Sequence, residues 1–164
     1  MIGSLMHYNL IYDNLYGVIV ANHDSYYDHS RSDNLIRFNQ LKPEISSFIE
    51  NFPLAVFSGV FRPLIFEGGN FLKVIAGIEN LLLLIMSVIS LNRLKNMFRS
   101  DDRILMLTIV LYTVALAGFL ALSTPNLGTL FRYKVGFLPF YVYLILSEGT
   151  LLGMLGLYLR ANNK

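Results

Sequence analysis

The stretch Ser123–Lys134, S-T-P-N-L-G-T-L-F-R-Y-K, gathers the side chains of this protein best suited to recognising a ligand. Pro125, Asn126 and Gly128 are turn formers, so the chain is expected to double back here and present Arg132, Tyr133 and Lys134 together at a membrane face. A guanidinium donates paired hydrogen bonds to phosphate, and a tyrosine ring offers a flat surface to a sugar. A lipid-linked sugar diphosphate would use both. The same residues would also serve as an aromatic belt whose cations snorkel to lipid headgroups. A second source of chemistry is Glu79–Asn80, set inside the apolar run Phe71–Leu91. A carboxylate at bilayer depth costs several kcal/mol unless it is paired, protonated or facing a wet cavity. Arg132 and Lys134, joined by Arg62, would supply the cations of an outward polar cluster with Glu79 and Asn80. In that cluster Glu79 and Arg132 are the catalytic candidates, Glu79 orienting or deprotonating a substrate. Arg62 and Lys134, with Arg132, would bind its diphosphate or acidic sugar groups, and Tyr133 its sugar ring.

Two further sets are weaker. Glu148 falls within Val135–Leu159 and is either a functional carboxylate or a neutral one in an interhelical hydrogen bond. Its small neighbours Ser147, Gly149, Gly153 and Gly156 would permit close helix approach. His23, Asp24, Asp28 and His29 lack metal-ligand spacing and read as part of a solvated loop, His23–Asn34. No metal and no cofactor is expected. Phosphate-cradling glycine loops, nucleophile elbows and metalloprotease signatures are missing from the sequence.

The elements that would position these residues are apolar helices. The 164-residue chain is 54% hydrophobic and 15% charged, with mean hydropathy +0.52. Soluble domains carry about 25% charged residues, so the polar surface needed to cover a globule is lacking. A net charge of +2, with its basic residues in short clusters beside apolar runs, gives no footprint for nucleic acid. The lack of cysteine excludes disulfides, thiolate metal sites and thiol nucleophiles. Met1–Tyr12 lacks the basic start, apolar core and small-residue cleavage site of a signal peptide.

Three runs approach the roughly 20 residues that a bilayer core requires: Phe71–Leu91, Ile104–Ser123 and Val135–Leu159. The expected fold is therefore all-α and polytopic, about three transmembrane helices plus an interfacial or re-entrant helix over Phe52–Phe66. Before it, Lys42–Asn51 reads as a short amphipathic helix with Pro43 in its first turn and Ile45, Phe48 and Ile49 on one face. Pro53 and Pro63 bound the interfacial segment. Residues 1–69 would form an extracytoplasmic N-terminal region and 70–164 the membrane region. Arg93, Lys95, Arg99, Arg103, Arg160 and Lys164 outnumber the basic residues at the opposite span ends. The positive-inside rule then places the 92–103 loop and the C-terminus in the cytoplasm, and the N-terminus outside.

Two segments together resemble a known group. F-R-P-L-I-F-E-G-G-N-F-L-K-V-I-A-G-I-E-N-L-L-L-L (Phe61–Leu84) and S-T-P-N-L-G-T-L-F-R-Y-K-V-G-F-L-P-F-Y-V (Ser123–Val142) are similar, in order and spacing, to the last part of multi-pass membrane proteins of bacterial surface-polysaccharide loci. The resemblance covers about residues 35–160. It implies a role like that of membrane glycosyltransferases or O-antigen-type polymerases, with residues carried over at Arg62, Glu67, Glu79, Asn126, Arg132 and Lys134. Asn126 thereby joins the substrate-binding set. Members of this group have further spans upstream, so the chain is expected to be a C-terminal portion. The implied setting is the bacterial inner membrane. The implied partners are membrane lipid, a lipid-linked saccharide, and further transmembrane helices of a longer protein or partner subunit. The alternative is a non-catalytic membrane subunit, or a truncated fragment, acting through helix–helix contacts.

Overall fold

The computed structural model describes residues 12–67, 70–91 and 103–146. All regular elements among them are helical: α1 (Tyr12–His29), α2 (Ile45–Phe61), α3 (Phe71–Leu91), α4 (Arg103–Ser123), α5 (Leu127–Tyr133) and α6 (Leu138–Leu146). Single 3-10 turns occupy Ser32–Asn34, Ile65–Glu67 and Lys134–Gly136. The class is all-α, as the apolar runs require. Two helices, α3 over Phe71–Ser90 and α4, are long and apolar enough to cross a membrane. The third expected span is described only as α6, and the rest of it, Glu148 included, lies outside the described residues.

Two stretches differ from the sequence expectation. His23–Asn34 is not one loop, because α1 runs through to His29. Ile19 and His23, four residues apart, are both buried on one face of it, and the His23 ring stacks on Tyr27 with centroids 5.7 Å apart. Burial of that face outweighs the local polarity. Likewise α2 is one helix rather than an amphipathic helix followed by an interfacial one. It begins after Glu44, so Pro43 precedes it, and it passes straight through Pro53. Proline at that place leaves the Ile49 carbonyl without its helical donor. Ile49 is 66% exposed and Pro53 is exposed, so the defect lies on the outward face. The inward face, Phe48, Asn51, Ala55, Ser58 and Gly59, is continuous at helical spacing and packs throughout.

The described residues fall into two compact units. One comprises the chain up to Arg62 together with Ala117–Lys134, and the other Pro63–Leu116 together with the residues from Val135 on. Residues 117–134 thus group with the chain up to Arg62.

The first unit has a buried core of Ile19, Ile36, Phe48, Ala55, Ala121, Leu122, Leu127 and Leu130. Here α2 approaches α4 so closely that a Cβ on Gly59 would strike the Ala117 carbonyl. A second clamp replaces strand pairing in this unit. The Asn51 side chain accepts from the Asn39 amide at 2.9 Å and donates to the Asn39 carbonyl at 3.0 Å.

In the second unit α3 is fastened to the turn before it. A Cβ on Gly77 would lie 2.7 Å from the Ile65 Cα, and the buried Asn80 amide donates to the Pro63 carbonyl at 2.8 Å. Small polar pairs join the apolar helices of this unit. Ser87 Oγ and the Tyr141 hydroxyl are 2.6 Å apart, and the Tyr112 hydroxyl donates to the Gly136 carbonyl at 3.1 Å.

Candidate functional site

The S-T-P-N-L-G-T-L-F-R-Y-K segment is built around Asn126. Its Oδ1 accepts the Gly128 and Thr129 amides at 2.9 and 3.2 Å, which makes it the N-cap of α5. Its Nδ2 donates to Ser30 Oγ at 2.7 Å, and the neighbouring Pro125 carbonyl accepts the Ile36 amide at 2.7 Å. The segment therefore turns as expected, but into a short helix anchored to the end of α1 and the chain after it. Leu127 and Leu130 enter the core from one face of α5. Arg132 and Tyr133 are left exposed on the other.

Lys134 does not join them at the surface. It is 2% exposed, and its Nζ donates to the Val60 carbonyl at 2.8 Å and the Arg62 carbonyl at 2.7 Å. These carbonyls lie at the C-terminal end of α2, where helical donors run out and the helix dipole is negative. An ammonium there satisfies orphan acceptors and opposes the dipole together. Arg62 takes part through its backbone, its amide donating to the Ser58 carbonyl as the C-cap of α2. Lys134 and Arg62, 72 residues apart in the chain, are thus joined directly.

What remains accessible is a small polar and aromatic surface. Arg132 is exposed in the last turn of α5, its Nε donating weakly to the Gly128 carbonyl at 3.4 Å. Beside it, Tyr26 of α1 lies near Tyr133: hydrogen bonding to Tyr133, then burial and the Tyr133 charge, hold the Tyr26 phenol above its ordinary pKa, while Arg132 pulls it the other way. Tyr26 had no signal in the sequence, because its place depends on α1 extending through a stretch of polar residues. Ser30 and Asn51, which anchor Asn126 and Asn39, were equally silent.

The other expected site residues belong to the second unit. Glu67 Oε2 accepts the Leu64 amide at 2.9 Å and so closes its own turn. Asn80 is 2% exposed and fastened to Pro63. Glu79 is exposed on α3 and, among the described residues, makes no hydrogen bond or ion pair. The expected cluster is thus divided by unit, with Arg62, Asn126, Arg132, Tyr133 and Lys134 in one and Glu79 and Asn80 in the other. Among the described residues no group of three or more His, Cys, Asp or Glu is placed to hold a metal ion. No protein-family description, curated protein or solved structure matches this chain.

Proposed function

We propose that this chain is a membrane-embedded component of the machinery that handles lipid-linked glycans during surface polysaccharide assembly. Its Arg132–Tyr133–Tyr26 surface would bind the diphosphate and first sugar. The observation that carries this reading is the exposed Arg132 guanidinium beside the Tyr133 and Tyr26 phenols, on a helix whose two ends are fixed by the Asn126–Ser30 and Lys134–Val60 hydrogen bonds. Rigid support matters because a bidentate contact to phosphate is lost with small errors of position. Lys134 and Asn126 serve as positioning residues: one caps α2, the other starts α5. α3 and α4 cross the bacterial inner membrane, with the N-terminal region and residues 124–134 outside and the C-terminus in the cytoplasm. The charge asymmetry of the connections supports that orientation.

The test is binding of a polyprenyl-diphosphate monosaccharide to the protein in nanodiscs. Arg132→Ala should weaken binding about tenfold or more, and Arg132→Lys should recover only part, since a lysine lacks the planar fork. Tyr26→Phe and Tyr133→Phe should each cost about three- to tenfold, the worth of one hydroxyl bond. Equal affinity across these variants and wild type would overturn the assignment.

A further inference from the structure

Glu79 occupies an unusual place for a carboxylate. It stands eight residues after Phe71 and twelve before Leu91, close to the middle of a 21-residue helix. At 1.5 Å per residue that is about 12 and 18 Å from the two ends. Its neighbours on the same face, Ile75, Ile78 and Leu82, are 39%, 47% and 55% exposed, so the carboxylate projects from an otherwise apolar surface. The adjacent face of α3 is already used, with Ala76, Gly77 and Asn80 buried. With α3 in a bilayer, Glu79 would face hydrocarbon near the midplane, where an unpaired carboxylate costs several kcal/mol. Its side chain is shorter than those of Lys and Arg, which reach the headgroups by snorkelling.

We infer that the Ile75–Ile78–Glu79–Leu82 face of α3 is the docking surface for a transmembrane helix of another polypeptide segment, one carrying a basic side chain at mid-membrane. Charge complementarity selects that occupant. A second copy of this chain in the same orientation cannot supply the cation. The one cation of α3 is Lys73, six residues before Glu79 and about 9 Å nearer the helix end, and no Lys, Arg or His occurs in Ile45–Phe61, Val74–Leu91, Ile104–Ser123 or Val135–Leu159. Such a copy would set Glu79 against isoleucine, leucine or another Glu79. Lipid alone covers Ile75, Ile78 and Leu82 well but leaves the carboxylate bare. This rests on the reading that α3 lies in lipid.

The experiment uses the full chain in phosphatidylcholine nanodiscs and two synthetic 21-residue Leu–Ala helices, one with a central Lys and one with Leu there. Association is followed by energy transfer from a dye on Gln40→Cys to a dye on the peptide. The Lys helix should associate about tenfold more tightly than the Leu helix. Glu79→Gln should erase that preference, Glu79→Asp should retain part of it, and Leu111→Ala, on the exposed surface of α4, should leave it in place. Equal association of the two helices would overturn the inference. A dye on Ile85→Cys separates this from failure of the membrane reading. Quenching of that dye by acyl-chain-bound quenchers with no Lys preference removes the partner helix alone. Reaction of Ile85→Cys with a water-soluble maleimide removes the bilayer premise and the inference with it.

Discussion

The two units of this protein solve the same problem in opposite ways. In the first, apolar side chains are turned inward: Ile36, Leu122 and Leu130 are completely buried, and the buried Asn51 and Lys134 side chains are bonded to backbone. In the second, α3 is as apolar as any core helix, yet only 17% of its most apolar window is buried, against 33% in α4. Leaving Leu72, Ile78, Leu82 and Val88 in water would forfeit about 1.5–3 kcal/mol for each side chain that could be buried. The contrast is what the proposed setting would produce, with water closing a core around Ile36 and lipid making one around α3 unnecessary.

Substitutions can break or sharpen that contrast, read as thermal or denaturant unfolding in detergent. The largest change is expected at the centre of the closed core. Ile36→Ala should cost about 4 kcal/mol, because a completely buried side chain leaves a cavity behind. Lys134→Met should cost about 3 kcal/mol, since it removes two charge-assisted bonds and strands the Val60 and Arg62 carbonyls. Gly59→Ala should cost about 2 kcal/mol by forcing α2 away from the Ala117 backbone, which cannot yield as a flexible side chain would. Asn126→Ala should cost about 1 kcal/mol as the lost N-cap of α5. Leu82→Ala, on the exposed face of α3, should stay within about 0.5 kcal/mol. A cost at Leu82 equal to that at Ile36 would mean that the two units do not differ in kind.

The elements of the second unit were the readable ones. A bilayer imposes a single requirement, length without charge, and Phe71–Leu91 and Ile104–Ser123 satisfy it in consecutive residues. The first unit was harder because its helices depend on partners distant in the chain. Pro53 marks a helix boundary by local rules, and only the inward face from Phe48 to Gly59 shows why α2 continues past it. The site divides in the same way. Residue types picked out Arg132 and Tyr133, and Asn126 as a turn former. The third member, the half-buried Tyr26, sits 107 positions before Tyr133 and is brought beside it only by tertiary packing. Lys134 was legible as a cation but not as a helix cap, since nothing near it in sequence announces the carbonyls it serves. Asn80 stood out as a polar residue in an apolar run and Glu67 only through the resemblance, and both bind backbone groups of the turn that α3 leans on.

The account rests on lipid surrounding one unit while the other packs on itself, and a nitroxide scan of this cysteine-free chain in nanodiscs reads that directly. Single cysteines at Ile78, Leu82 and Leu111 are compared with one at Gln40, using collision with oxygen, which concentrates in the acyl core, and with a water-soluble nickel chelate. The prediction is high oxygen and negligible nickel accessibility at 78, 82 and 111, with the reverse at 40. Nickel accessibility at Leu82 and Leu111 equal to that at Gln40 would contradict it.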